Sequence, residues 1–292
     1  MGAELRIGTC SWRFPSWEGL VYSAPKSINY LQEYAEQYDT VEIDRWFWSL
    51  FGEDSVGLPQ PADVEAYRRS VPDDFLFTVK APNSVTLTHF YKKAKADPLV
   101  ENPYFLSPSL FRSFLSRLDP LADTLGPVMF QFEYLNKQKM PSQSRFHEHL
   151  EAFIAQPVQP PSGYQVGVEI RNGNYLNRAF FEFLARTEVS PVLLQGYWMR
   201  SVVEVYHKWR SLIHQHESVV IRLLGPDRKG IEKQTGKQWD RIVAPRDEEL
   251  IGIVEMVEEL LSHNLDVFIN VNNHYEGSAP LTIERIRGFL SG

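Results

Sequence analysis

Cysteine is nearly absent from this chain. A single residue, Cys10, stands among 292, so no intrachain disulfide can form and a disulfide-stapled secreted scaffold is excluded. Long apolar runs are absent too: no stretch approaches the ~18 residues a membrane-spanning helix requires. The opening residues, MGAELRIGTCSW, lack the apolar core of a signal peptide. Arg6 stands where N-myristoylation would need serine or threonine. Together these absences lead us to expect a cytoplasmic protein with no membrane partner. Positive charge is also scarce. Lys and Arg number 30 against 37 Asp and Glu, a net charge of −7, which argues against non-specific coating of nucleic acid. Heptads, internal repeats and low-complexity tracts are missing. Hydrophobic residues at 43% and charged residues at 23% are those of an ordinary globular domain.

What is present is a rhythm. Eight short runs rich in β-branched and aromatic residues are bounded by Gly, Pro, Asn or Asp: Leu5–Thr9, Thr40–Asp44, Phe75–Lys80, Pro127–Phe132, Gln165–Arg171, Pro191–Gln195, Val219–Leu224 and Asp266–Asn272. Between them lie amphipathic stretches such as RFHEHLEAFIA and ELIGIVEMVEELLSHN, the latter with Leu250, Val254, Val257 and Leu261 at helical spacing. Eight strands alternating with helices predict an α/β fold. We expect a single (β/α)8 TIM-type barrel over residues 1–292, with long βα loops over its C-terminal face. The Pro-rich stretch Gln156–Gly163 reads as a loop inside that one domain, because the alternation continues across it.

Side chains alternate along a strand with period two. In the second run Val41 and Ile43 share one face, and Glu42 and Asp44 the other. The same parity places Lys80, Gln131, Glu169, Arg171, Arg222, Asn270 and Asn272 opposite the apolar face of their strands. Barrel strands are covered by helices outside and packed within, so neither face should be polar. These groups gather toward the strands' C-terminal ends, where barrel enzymes build their sites. A buried ion-pair network that only fixed register would be a poor stabiliser, so a ligand site is the better reading. Glu42 and Glu169 are expected to be a carboxylate acid/base pair. Arg171 and Lys80 are expected to stabilise developing negative charge, or Lys80 to act as an amine nucleophile. Arg222, Gln131, Asn272 and Asn273 would orient the ligand, with Trp12, Asp44, Phe47, His89 and Glu276 around it.

The motifs resemble those of the YecE-like family, domain of unknown function seventy-two. The similar segments are IGTCSW (Ile7–Trp12), TVEID with Phe47 beyond it, FTVKAP (Phe77–Pro82) followed by Thr88–His89, LGPVMFQF (Leu125–Phe132), VGVEIRN (Val166–Asn172), VIRLLG (Val220–Gly225) and NVNNHYEGSAP (Asn270–Pro280). The resemblance spans nearly the whole chain in order. It implies a TIM-type barrel and no established reaction. The chain departs from the family pattern at three places. Arg222-Leu223-Leu224-Gly225 stands where Arg-Leu-His-Gly is usual, and Gln195-Gly196-Tyr197 where an acidic residue is usual. The Asn-Ala pair of the last segment is replaced around Leu281-Thr282.

Aromatics crowd the segments that follow strands: Trp12, Trp17, Trp46, Trp48, Trp198 and Trp239, with Phe14, Tyr91, Tyr104, Tyr134, Tyr175, Tyr197 and Tyr275. Flat rings there suit stacking on a base or a sugar face. The segment Pro226–Arg246 holds Arg228, Lys229, Lys233, Lys237, Arg241 and Arg246 against three acidic residues, and Lys92, Lys93 and Lys95 follow the third run. We therefore expect an anionic, ring-bearing small molecule, such as a phosphorylated sugar or nucleotide fragment. The reaction class (hydrolase, lyase or isomerase) is left open. The alternatives are a nucleic-acid binding or processing protein resembling barrel nucleases that cut at abasic sites, which the acidic charge disfavours, and a non-catalytic binder. No cofactor is expected. A divalent metal on His89, His274, Glu42 and Glu169 is a minor alternative that no ligand spacing supports. Gly225–Gly230 lacks the Lys and Ser/Thr of a phosphate loop.

Overall fold

The eight runs hydrogen-bond side by side into one closed barrel. In this computed structural model, which describes residues 2–52, 55–92, 94–156 and 165–292, the strands are β1 (Leu5–Cys10), β2 (Thr40–Ile43), β5 (Leu76–Lys80), β6 (Leu125–Phe132), β7 (Val166–Ile170), β8 (Ser190–Gly196), β9 (Ser218–Gly225) and β10 (Asp266–Val271). All are parallel, and the ring closes where β1 pairs with both β2 and β10. A small antiparallel hairpin follows β2, formed by β3 (Leu50–Gly52) and β4 (Ser55–Val56). It lies in a loop that the sequence pattern did not mark as structured. The Pro-rich stretch Gln156–Gly163 lies from residue 157 onward outside the described residues, as does Lys93.

The helices are α1 (Tyr30–Ala35), α2 (Pro61–Arg69), α3 (Asn83–Thr86), α4 (Pro108–Arg117), α5 (Gln143–Ile154), α6 (Arg178–Arg186), α7 (Val202–Ile213), α8 (Arg228–Thr235), α9 (Asp247–Ser262) and α10 (Ala279–Leu290). Their starts are written locally. Asn29, Ser107, Ser142, Asn177 and Asp227 each accept a backbone N–H at the head of α1, α4, α5, α6 and α8. Proline enters the first turn of α2, α4 and α10. Among the described residues no helix is long and apolar enough to cross a membrane.

Strand parity divides the core. Val41, Ile43, Phe77, Val79, Val128, Phe130, Phe132, Val168, Ile170, Ile221 and Ile269 face the helices and join one continuous apolar cluster. The inward side chains form layers. Met129, Val192, Val220 and Phe268 plug the lower barrel, with Leu76 against them. Above this plug the inner wall turns polar.

Two close approaches require glycine. A Cβ on Gly8 would stand 2.0 Å from the carbonyl oxygen of Thr40. Gly196 and Gly225 lie backbone to backbone at the tops of β8 and β9, both at positive φ (141° and 74°).

Candidate functional site

The polar layer is organised around one guanidinium. Arg222 on β9 donates from Nε and Nη2 to the two oxygens of Glu42, at 2.7 Å each. Its Nη1 donates to Gln131 at 3.1 Å and to Glu169. Glu42 and Glu169 have no exposed surface, and Arg222 retains 3%. Asn270 donates to Glu42 at 3.3 Å and to the Thr78 hydroxyl at 3.0 Å. Register explains the convergence: Gln131 pairs with Glu169 across β6 and β7, and Arg222 with Asn270 across β9 and β10. β2, β6, β7, β9 and β10 thereby deliver complementary groups to one height of the barrel.

Burial by itself pushes the Glu169 carboxyl up. Arg222, Arg171 and Lys80 outweigh it and hold the group down at about 2. Glu169 is therefore a fixed carboxylate at neutral pH. It has no proton to give and little basicity. The expected acid/base division between Glu42 and Glu169 loses its basis here, because one arginine binds both carboxylates.

Three further charged groups stand at the opening. Arg171, just beyond the end of β7, donates from Nε to Glu169 at 3.0 Å. Its guanidinium lies 5.1 Å from the Tyr197 ring, and its terminal nitrogens make no hydrogen bond among the described residues. Asp44 follows β2 and begins the short turn Arg45–Phe47 instead of extending the strand as expected. Burial and then Glu42 push its carboxyl up, opposed by Lys80 and Arg222. Lys80, the last residue of β5, has its Nζ 3.9 Å from the centre of the Phe47 ring. It makes no hydrogen bond or ion pair among the described residues. Burial, then the charge of Arg222, pull its ammonium down to about 8 against the pull of Glu42, Glu169 and Asp44.

The sequence places Glu42, Lys80, Gln131, Glu169, Arg171, Arg222, Phe47 and Asp44 at one mouth, and the structure brings them together. Four other candidates are occupied elsewhere. Asn273 is buried and caps α10 by accepting the Ala279 N–H at 2.9 Å. Glu276, fully buried, accepts the Arg246 N–H at 2.7 Å and the Thr282 hydroxyl at 2.9 Å, and lies 3.3 Å from Arg285. It fastens the loop after β9 to α10. Asn272, one residue beyond β10, holds His274 through the ring Nδ1 (2.5 Å) and the backbone N–H (3.0 Å). His89 is buried against the Thr88 hydroxyl at 3.0 Å. All four lie past a strand end, where parity no longer fixes the direction of a side chain.

Trp12 is buried edge-on against Tyr67. It lines a cleft of about 660 Å³ beside the cup, shared with Ser11, Arg13, Asp44, Arg45 and Asp63. The cleft begins where the chain turns sharply after β1. Ser11 takes a left-handed φ of 68°, held by its N–H on the Glu42 carbonyl at 3.0 Å.

Part of the aromatic set seals the loops: Trp17, Trp46, Trp239, Tyr175 and Tyr275 are buried. Trp48, Tyr91, Tyr134 and Trp198 are more than half exposed. Three of these are linked around the opening. Trp48 lies 6.3 Å from Tyr91, and Trp198 donates to the Arg171 carbonyl at 3.3 Å. Half of the cations in the basic loop are paired within it. Arg228, Lys237 and His274 converge on Glu232, and Arg241 pairs with Asp240. It also contains α8, which the sequence pattern read only as loop. Among the described residues no group of three or more His, Cys, Asp or Glu could hold a metal ion. His147 stacks on Phe183 at 4.4 Å.

The three places that depart from the family pattern each make specific local contacts. The Thr282 hydroxyl bonds Glu276. Leu224 packs with Cys10 and Leu194 in a dry patch beside the polar layer. Gln195 accepts the Val202 N–H at 2.8 Å and donates its amide to Glu249, a bond a carboxylate at that position could not make.

Comparison with known proteins gives a consistent result. Residues 6–291 match the family model described as "Protein of unknown function DUF72". Two curated relatives, each a UPF0759 protein YecE from Escherichia coli (O157:H7 and K12), are 26% identical over 200 residues, which is 68% of this chain and 57% of theirs. The match thus spans a little over half the length of those relatives. Among solved structures, a DUF72 family protein from Enterococcus faecalis superposes with a TM-score of 0.68 at 17% identity, covering 99% of this chain and 96% of that one. Another from Thermotoga maritima gives 0.65 at 19% identity, covering 99% and 100%. These likenesses show the shared fold.

Proposed function

The chain belongs to the DUF72 family, and from the geometry of its barrel mouth we propose that it is an enzyme acting on a small anionic molecule, with Lys80 as the group that gains and loses the proton. One observation carries this reading. Lys80 is buried without a hydrogen bond or ion pair among the described residues, while Arg222 binds both adjacent carboxylates. Withdrawing an amine largely from water with no partner is costly, and such groups cluster at functional sites. A lysine with a value of about 8 is poised to exchange protons near neutral pH.

Arg171 supports the anionic half of the reading, since its terminal nitrogens make no hydrogen bond among the described residues. The exposed rings of Trp48, Tyr91 and Trp198 suit a ligand that carries a ring, such as a phosphorylated sugar or nucleotide fragment. Asp44 is the second proton-handling group. The lone, buried Cys10 supports a cytoplasmic location. A nucleic-acid partner gains little, because Arg228, Lys237 and Arg241 already have acidic partners.

The test is a panel of sugar phosphates, nucleotides and carboxylic acids followed by phosphorus and proton NMR. Wild type should transform at least one member and Lys80→Met none. Identical spectra from the two proteins, with no anion perturbing the amide signals of the cup, would overturn the reading.

A further inference from the structure

Lys80 is not placed as a counter-ion. A lysine serving Glu42 or Glu169 would lie within ion-pair distance of one of them, and Arg222 holds that position. Its Nζ instead lies over the face of Phe47, at the end of a barrel strand whose preceding inward residue, Thr78, already belongs to the polar layer. Arg171, bonded through Nε to the same Glu169, keeps its terminal nitrogens without a hydrogen bond among the described residues. No acceptor holds the ammonium form of this amine in place, so once deprotonated its lone pair is unobstructed.

We propose that Lys80 forms an imine with the carbonyl carbon of an anionic aldehyde or ketone, such as a 2-oxo acid or a ketose phosphate. This rests on the cup being the active site for an anion. The Nζ lone pair attacks the carbonyl carbon; the nitrogen loses a proton and the carbonyl oxygen gains one, giving a carbinolamine. The C–O bond then breaks with a second proton delivered to the oxygen. Water leaves, and a C=N bond remains. No oxidant or reductant is consumed. Asp44, which follows β2 at the opening and whose carboxyl burial and then Glu42 push up, is the acid assigned to the departing oxygen. Arg171 binds the anionic group of the same molecule. The Phe47 face, which now carries an ammonium, stabilises the cationic iminium equally well and shields one side of it from water.

The free-amine fraction sets the expected contrast. At pH 7.5 an ordinary exposed lysine is about 0.1% unprotonated, whereas a group at about 8 is about a quarter unprotonated.

The experiment uses the full chain with pyruvate or dihydroxyacetone phosphate as probe, followed by sodium borohydride and peptide mapping. The expected product is a secondary amine on Lys80, heavier by the mass of the probe less one oxygen. Its occupancy should be at least about tenfold above that of any other lysine. The adduct should vanish in Lys80→Met and in Lys80→Arg; the latter keeps the charge and controls for loss of folding. Equal labelling of Lys80 and surface lysines overturns the imine. Absence of a Lys80 adduct while either probe still perturbs the amide signals of the cup overturns the imine and leaves the anion-binding enzyme standing. Absence of both adduct and perturbation overturns the two together.

Discussion

Replacing Arg222 by methionine gives the sharpest test of the polar layer. Arg222 makes four hydrogen bonds, to Glu42, Glu169 and Gln131, at a depth where neither carboxylate touches solvent. Removing one partner of a buried ion pair costs about 3–5 kcal/mol, because the remaining charge is stranded. Here two charges are stranded, so the upper part of that range applies, lowering Tm by about 10 °C. The sign of the pH dependence should also reverse. In wild type, Glu169 sits below its ordinary value of 4.5, at about 2. Its contribution of about 3 kcal/mol is therefore present above the unfolded value and lost as pH falls from 4.5 toward 2. In Arg222→Met, burial acts without its main opponent and raises the folded value above the unfolded one. Wild type should lose some stability on acidification from pH 7 to 5, because burial holds His216 down at about 4; relative to wild type, the variant should gain stability across the same window. Urea denaturation at several pH values reads both slopes. The triple variant Glu42→Gln/Glu169→Gln/Arg222→Met should recover most of the loss, since apolar or neutral replacements of whole buried networks are often neutral. If Arg222→Met matches wild type in stability and in pH slope, the carboxylates are solvated and the described layer is wrong.

Lys80→Met should stabilise the fold by about 1–3 kcal/mol at pH 7 while abolishing turnover, the trade-off expected when a strained functional group is removed; equilibrium unfolding and the NMR panel read the two effects. Because the folded value of Lys80 lies at about 8 and its ordinary value is 10.5, wild-type stability should rise with pH across that window, and the rise should be absent in Lys80→Met. Asn273→Ala should cost about 1 kcal/mol by uncapping α10, with ligand binding unchanged in calorimetry. Trp48→Ala and Trp198→Ala should change Tm little, being exposed, and should weaken binding of a ring-bearing ligand.

The barrel and the centre of its site were legible for the same reason. Inside a strand the direction of a side chain depends on parity alone, so Glu42, Gln131, Glu169 and Arg222 could be assigned to one interior from the sequence. The same rule also reached Asn270, which joins the layer. The partners within that interior were not legible. Which carboxylate meets which cation depends on stagger around a closed ring, and no local pattern encodes that stagger. Asn273 and Glu276 were misplaced because they follow β10, where backbone turns decide orientation; their short-range capping role resembles a binding role in residue type. The helix α8 was hidden by its polarity and by Gly230, which its N-cap Asp227 engages. Arg228 and Lys237 read as anion donors only because Glu232 was weighed as a bare count of charge and not as their common partner.

The lower plug of Met129, Val192, Val220 and Phe268 gives the barrel a closed bottom. Under the proposed imine chemistry, traffic would be confined to one doorway: a reactant entering, a water molecule shed on condensation and a proton returned to solvent would all share it. A bound reactant acts as its own stopper, so exchange of the Lys80 protons with solvent should slow whenever the doorway is filled.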